Sequence, residues 1–163
     1  MVDIMEDPLY HEPGRLLSRT KNIMLPIDGS EGSDRAAVVA YEIAELTKSK
    51  LHIVHVINTG VVQQVARMSD KDPEDILRHY EENGEKLLQR YKSAALSYGL
   101  EVETVLDKGL PSDRITALAA SIDVDIIVMG SKGLSSSRKP GLGSSTERVI
   151  RRINCAVLVV HVD

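Results

Sequence analysis

Short apolar runs that suit β-strands are each followed by a stretch with helical spacing, and no two runs are joined by a tight hairpin signal. This alternation constrains the chain more than any other feature. Runs at Asn22–Ile27, Leu51–Ile57, Leu100–Asp107, Val124–Met129 and Cys155–Val162 predict five strands. Between them, Ala37, Ala40, Tyr41 and Ala44 recur at helical intervals, and Asp72-Pro73 is a cap and first-turn pair for a helix carrying Leu77, Tyr80, Leu87, Leu88, Tyr91 and Ala95. Gly109-Leu110-Pro111-Ser112 turns into a third helix, and Ser144-Ser145-Thr146-Glu147 has the form of a capping box opening a fourth. Strands without hairpins need crossover connections, and right-handed crossovers wind helices onto both faces of a parallel sheet. The expected fold class is therefore α/β, with one doubly wound five-stranded parallel sheet. Leu100–Asp107 alternates apolar and acidic residues, which suits an edge strand with one wet face, whereas Val124–Met129 suits a fully buried strand.

At 163 residues the chain is long enough to bury a core in one domain without a disulfide or structural metal. Residues 1–20 hold two prolines, scattered charge and no sustained period, so they are expected to be a flexible tail ahead of a domain at 21–163. Asn58–Lys71 and Gly130–Leu142 are expected to be long loops, the usual place for function in a compact α/β domain.

The formal net charge of −4 argues against a uniformly basic nucleic-acid binder. No Phe, no Trp and only five Tyr leave too few rings for a base-stacking platform. The lone Cys155 allows no internal disulfide, so a reducing cytoplasm is the expected location. The longest apolar run, Cys155–Val160, falls far short of a membrane span, and Asp3, Glu6 and Asp7 sit where a signal peptide would be basic and then apolar. Neither a span nor export is expected.

The strongest chemical signal is the spacing Gly130-x2-Gly133-x9-Gly143-Ser144, running from the end of a buried strand to the start of a helix. Glycine lets backbone N–H groups approach a phosphate, and the opening amides of a helix at Gly143, Ser144 and Ser145 would be donors at its positive end. Residues 131–152 carry +5 while the rest of the chain carries −9, so the one basic stretch coincides with this loop. A solvated connection into a helix capped by Ser144 and Glu147 would have the same spacing, and spacing alone leaves both open. Neither G-x4-G-K-[ST] nor the dinucleotide fingerprint is present. His52, His55, His79 and His161 form no i, i+4 ligand pair, so no protein-built metal site is expected. No nucleophile elbow appears, and Ser30 is explained by the start of a helix.

Pro26-Ile27-Asp28-Gly29-Ser30 after the first strand, His55-Val56-Ile57 in the second, Gly109-x-Pro111 before the third helix and Val128-Met129-Gly130-Ser131-Lys132-Gly133 with its x9-Gly143-Ser144 continuation resemble the universal stress protein family over about residues 21 to 162. The three-glycine spacing is similar to that of the family's ATP-binding branch. The resemblance implies strand order 3-2-1-4-5, whose reversal between the first and fourth strands makes a ligand crevice. It also implies that Asp28 and Gly130 hold the ribose, and that Val56 gives backbone hydrogen bonds to adenine beside Pro26 and Met129. Gly133, Gly143, Ser144 and Ser145 would then hold the phosphates. The ligand implied is ATP, ADP or AMP, with any Mg²⁺ arriving on the phosphates. A homodimer through the last strand and a regulatory, slowly hydrolysed or unhydrolysed nucleotide follow from the same likeness. Two alternatives stay open: a nucleotide hydrolase or nucleotidyl-transfer enzyme on a related scaffold, and a dimeric interaction module that binds no nucleotide. The sequence identifies no regulatory protein partner.

Overall fold

The structure, a computed structural model, describes residues 15–134 and 140–162. Five strands, β1 (Asn22–Pro26), β2 (Lys50–Asn58), β3 (Val102–Gly109), β4 (Ile126–Gly130) and β5 (Ala156–Val160), form one sheet in the order β3-β2-β1-β4-β5. Every pairing is parallel, as the absence of hairpin signals requires. The predicted fold class and strand order are both observed.

Helices cover the two faces. Alternation along the central strands sends Ile23, Leu25, Ile126 and Val128 to one side, where they meet α2 (Glu31–Thr47) and α4 (Pro73–Ser97) through Ala36, Ala40, Ala44, Leu88, Tyr91 and Ala95. Met24, Val54, Ile127 and Met129 point to the other side, against Ile115 and Ala119 of α5 (Pro111–Ile122) and Val149 of α6 (Ser144–Arg152). The alanine face of α2 lets that helix lie close to the sheet. Ser30 caps it by accepting from the Ser33 amide, and Asp72 caps α4 by accepting from the Glu74 amide ahead of Pro73. Tyr91 donates its hydroxyl to Asp34 at 2.5 Å, and Tyr41 donates to the Tyr91 carbonyl at 2.9 Å, which locks α2 to α4. Burial, with the carboxylate of Asp34 beside it, pushes the Tyr91 hydroxyl well up, and burial pushes that of Tyr41 up to about 12, so both stay protonated donors.

Residues 15–18 form a helical turn, α1 (Arg15–Ser18), and Thr20 is buried, while the rest of the expected tail, residues 1–14, lies outside the described ones. Two expectations are corrected. The expected loop at Asn58–Lys71 contains a helix, α3 (Thr59–Ser69), capped by the Asn58 side chain, which accepts from the Gly60 and Val61 amides. Only Val62 and Ala66 of α3 are buried, so its apolar stripe is too narrow to stand out in the sequence. Finally, α6 is capped by Gly143 with no side-chain cap, so Ser144 is its first residue and the capping box does not form.

At the end of the sheet where β1 and β4 begin, polar groups pair with one another. Asp125 Oδ2 accepts from the Lys21 and Asn22 amides at 2.8 and 3.0 Å, and Ser49 Oγ donates to the Thr20 carbonyl at 2.8 Å. His52, 4% exposed, pairs its Nε2 with Asn22 Oδ1 at 3.0 Å, while its Nδ1 has no partner among the described residues.

Candidate functional site

A cleft of about 670 Å³ lies at the carboxyl ends of the strands, where β1 and β4 send their connections to opposite faces. All nine residues singled out in the sequence, Pro26, Asp28, Val56, Met129, Gly130, Gly133, Gly143, Ser144 and Ser145, line it. The sheet topology brings together residues that lie a hundred positions apart.

One wall follows β1. After Pro26 the chain turns through Gly29, whose φ of +81° suits glycine, into the cap of α2. Asp28 Oδ1 accepts from the Ser30 amide at 3.0 Å and from Ser33 Oγ at 2.8 Å; Ser33 Oγ accepts from the Asp28 amide at 2.9 Å. Asp28 Oδ2 accepts from the Leu134 amide at 3.1 Å, tying this wall to the glycine loop.

The ladder then explains Val56. Lys50 donates its amide to the Lys21 carbonyl and the Val54 carbonyl accepts from Ile27, whereas the Leu51 amide goes to Glu101. Even-numbered residues of β2 therefore bond toward β1 and odd ones toward β3. Because β1 ends at Pro26, level with Val54, Val56 faces the turn after β1, where the Ile27 carbonyl pairs with His55 Nδ1 at 2.8 Å, and it lines the cleft. A donor and an acceptor side by side on extended backbone can pair with the edge of a planar base.

The opposite wall is β4 and α6. A Cβ on Gly130 would stand 2.7 to 2.8 Å from backbone atoms of Gly32, and one on Gly32 would strike the Lys132 carbonyl, so the floor is backbone against backbone. A Cβ on Gly133 would lie 2.5 Å from Asp28 Oδ2. Neither Gly133 nor Gly143 has a positive φ, so close approach rather than left-handed geometry requires glycine at position 133. The Gly143 amide is not open to a ligand, because it donates to the Ser131 carbonyl at 2.7 Å. Ser144 and Ser145, in the first turn of a helix with no side-chain cap, carry amides suited to receive an anion. Lys132, half-buried, is the one Lys or Arg lining the cleft among the described residues. Extended backbone at Val56, a carboxylate at Asp28 and the start of α6 are thus gathered in one cleft. Of the x9 stretch, residues 135–139 lie outside the described ones.

The sequence reading passed over Gly32, Ser33 and Thr146. Thr146, 4% exposed, donates to the Gly130 carbonyl at 3.0 Å and so fixes the end of β4 against α6. The Gly29-Ser30-x-Gly32-Ser33 run was the available signal for the first two. Among the described residues no group of three or more His, Cys, Asp or Glu could hold a metal ion, and no helix is long and apolar enough to cross a membrane. Cys155 packs half-buried on the α5 side, where burial raises its thiol.

Comparison with known proteins agrees with this geometry. The sequence profile of the universal stress protein family matches residues 19–161. Universal stress protein MJ0531 of Methanocaldococcus jannaschii is 33% identical over 140 residues, covering 86% of this chain and 81% of that protein. The structure of the hypothetical protein MJ0577 superposes with a TM-score of 0.78 at 28% identity, covering 88% of this chain and 97% of the other. A universal stress protein solved in complex with cAMP superposes at 0.62 with 28% identity over 87% of this chain and 97% of its own. With a family profile spanning nearly the whole chain and the same sheet order, this protein belongs to the universal stress protein family.

Proposed function

We propose that this chain is an adenine-nucleotide-binding stress-response protein, with ATP as the leading ligand and the nucleotide acting as a regulator. The observation that carries the reading is the meeting in one cleft of three kinds of recognition group: the Val56 backbone beyond the end of β1, the carboxylate of Asp28 and the first-turn amides of Ser144 and Ser145. The relative bound to cAMP supports an adenine nucleotide as the class of ligand. Pro26 and Met129 would flank the base, and Gly130, Gly133 and Gly143 would admit the sugar and phosphates past a wall without side chains. Mg²⁺ would be carried by the phosphates. Among the described cleft residues, Asp28 is the only carboxylate, and its oxygens already accept three hydrogen bonds, which supports a role in holding the ligand over one in directing an attacking water. On this reading hydrolysis would be slow or absent.

The test is calorimetric titration of nucleotide-stripped protein with Mg-ATP at physiological salt. Micromolar or tighter binding is expected; absence of binding would shift the reading to an interaction module. Steady turnover abolished by Asp28→Ala would instead establish an enzyme. The reading places the protein in the cytoplasm as a homodimer. Its β5 lies at the open edge of the sheet with Leu158 exposed, which supports pairing with a second copy. Light scattering at micromolar concentration should give twice the chain mass.

A further inference from the structure

Asp28 already has most of its acceptor capacity filled before any ligand arrives. An ionised carboxylate offers about two acceptor directions on each oxygen. Both directions of Oδ1 are taken, one by the Ser30 amide and one by the Ser33 hydroxyl. The hydroxyl cannot readily turn away, because the same Ser33 oxygen accepts from the Asp28 amide at 2.9 Å, and Ser33 is 6% exposed. Among the described residues Oδ2 accepts only from Leu134, at 3.1 Å, which leaves it one further direction beside Gly133.

We propose, resting on the nucleotide reading above, that Ser33 is a positioning residue that limits Asp28 to a single sugar hydroxyl. A carboxylate gripping a cis-diol with both oxygens needs an open direction on each. Here Oδ1 has none, so Asp28 reads one hydroxyl through Oδ2, and the other hydroxyl of the sugar is left to a different group. The cleft therefore treats the two hydroxyls of a ribonucleotide unequally, and Ser33, which never touches the ligand, sets that inequality.

The test uses the full chain, titrated with ATP, 2′-deoxy-ATP and 3′-deoxy-ATP, in wild type and in Asp28→Asn. A hydrogen bond to a charged group corresponds to a loss of roughly tenfold to a hundredfold in affinity. Asp28→Asn should weaken ATP and one deoxy analogue by about that much. It should leave the other analogue, which already lacks the hydroxyl Asp28 reads, unchanged. In Ser33→Ala, which opens a direction on Oδ1 and frees the carboxylate to turn, the affinity ratio between the two analogues should move toward one. A merely structural role for Ser33 would lower all three affinities by one factor and keep the ratio. Equal weakening of both analogues by Asp28→Asn, or an unchanged ratio in Ser33→Ala, overturns the proposal while the nucleotide reading stands. Failure of wild type to bind ATP overturns both. Melting temperatures of the variants show whether each folds, and if Asp28→Asn does not, the Ser33→Ala ratio decides alone.

Discussion

The two ends of the sheet are built from the same kinds of residue and reach opposite outcomes. Where β1 and β4 begin, Asp125, Asn22, Ser49 and Thr20 take up one another's donors and acceptors, and the surface closes. Where the strands finish, Ser144 and Ser145 open a helix with no side-chain cap, the Val56 backbone lies beyond the end of β1, and glycines hold two walls at backbone distance. Serine and aspartate therefore mean little by type. What separates a structural end from a receptive one is whether a local partner is within reach, and at the receptive end the topology withholds it.

The largest effect that would break this contrast is expected at the floor of the cleft. Gly130→Val drives a branched side chain into the backbone of Gly32, which cannot step aside, so the variant should lose about 3 kcal/mol of stability, the upper range for overpacking. Urea denaturation measures it, and a variant as stable as wild type would show that the walls can part. Next comes a pair of substitutions that should dissociate the two ends. Gly133→Val places a side chain against Asp28 Oδ2 and should lower nucleotide affinity about a hundredfold with little loss of stability. Asp125→Ala strands the Lys21 and Asn22 amides, at a cost of about 1–3 kcal/mol, and should leave nucleotide affinity alone. Titration and melting of both variants give the four numbers; affinity loss in Asp125→Ala would mean that the ends are coupled.

The smallest effect is a pH dependence confined to the closed end. Burial holds the pKa of His52 below its usual 6.5, with Glu103 and Glu101 opposing the shift and Lys50 adding to it. The unfolded chain then takes up a proton that the folded chain resists. The contribution of His52 is constant above pH 6.5 and becomes unfavourable as pH falls below it. The melting temperature should fall between pH 7 and pH 5.5, and His52→Gln should flatten that slope. An equal slope in the variant would assign the loss to other groups.

What the sequence disclosed follows from range. The five strands were legible because burial on one or both faces writes a period into each of them, and Gly130 and Gly133 because close approach admits one residue type. The helix at Thr59–Ser69 was hidden because two buried residues, Val62 and Ala66, make too short a stripe. The cap of α6 was placed one residue late, since Ser144 has the right hydroxyl but the wrong position, and the Gly143 amide is claimed by Ser131, twelve residues upstream. Ser33 meets Asp28 five residues away and was passed over although local, whereas Leu134 meets Asp28, 106 positions apart, only because the crossovers bring them to one place. Partners fixed by topology leave no local trace in composition or spacing.

The contact of Gly32 with Gly130 also bears on how a ligand would get in. Two walls that meet backbone to backbone at their base leave no room for a ligand to pass between them there, so a nucleotide, on the reading proposed above, would have to enter from the other side of the cleft. Arrival in such a slot is governed by diffusion and charge at the entrance. Departure is governed by how many contacts must be released together, so relatives sharing this floor would differ in residence time far more than in the speed of capture.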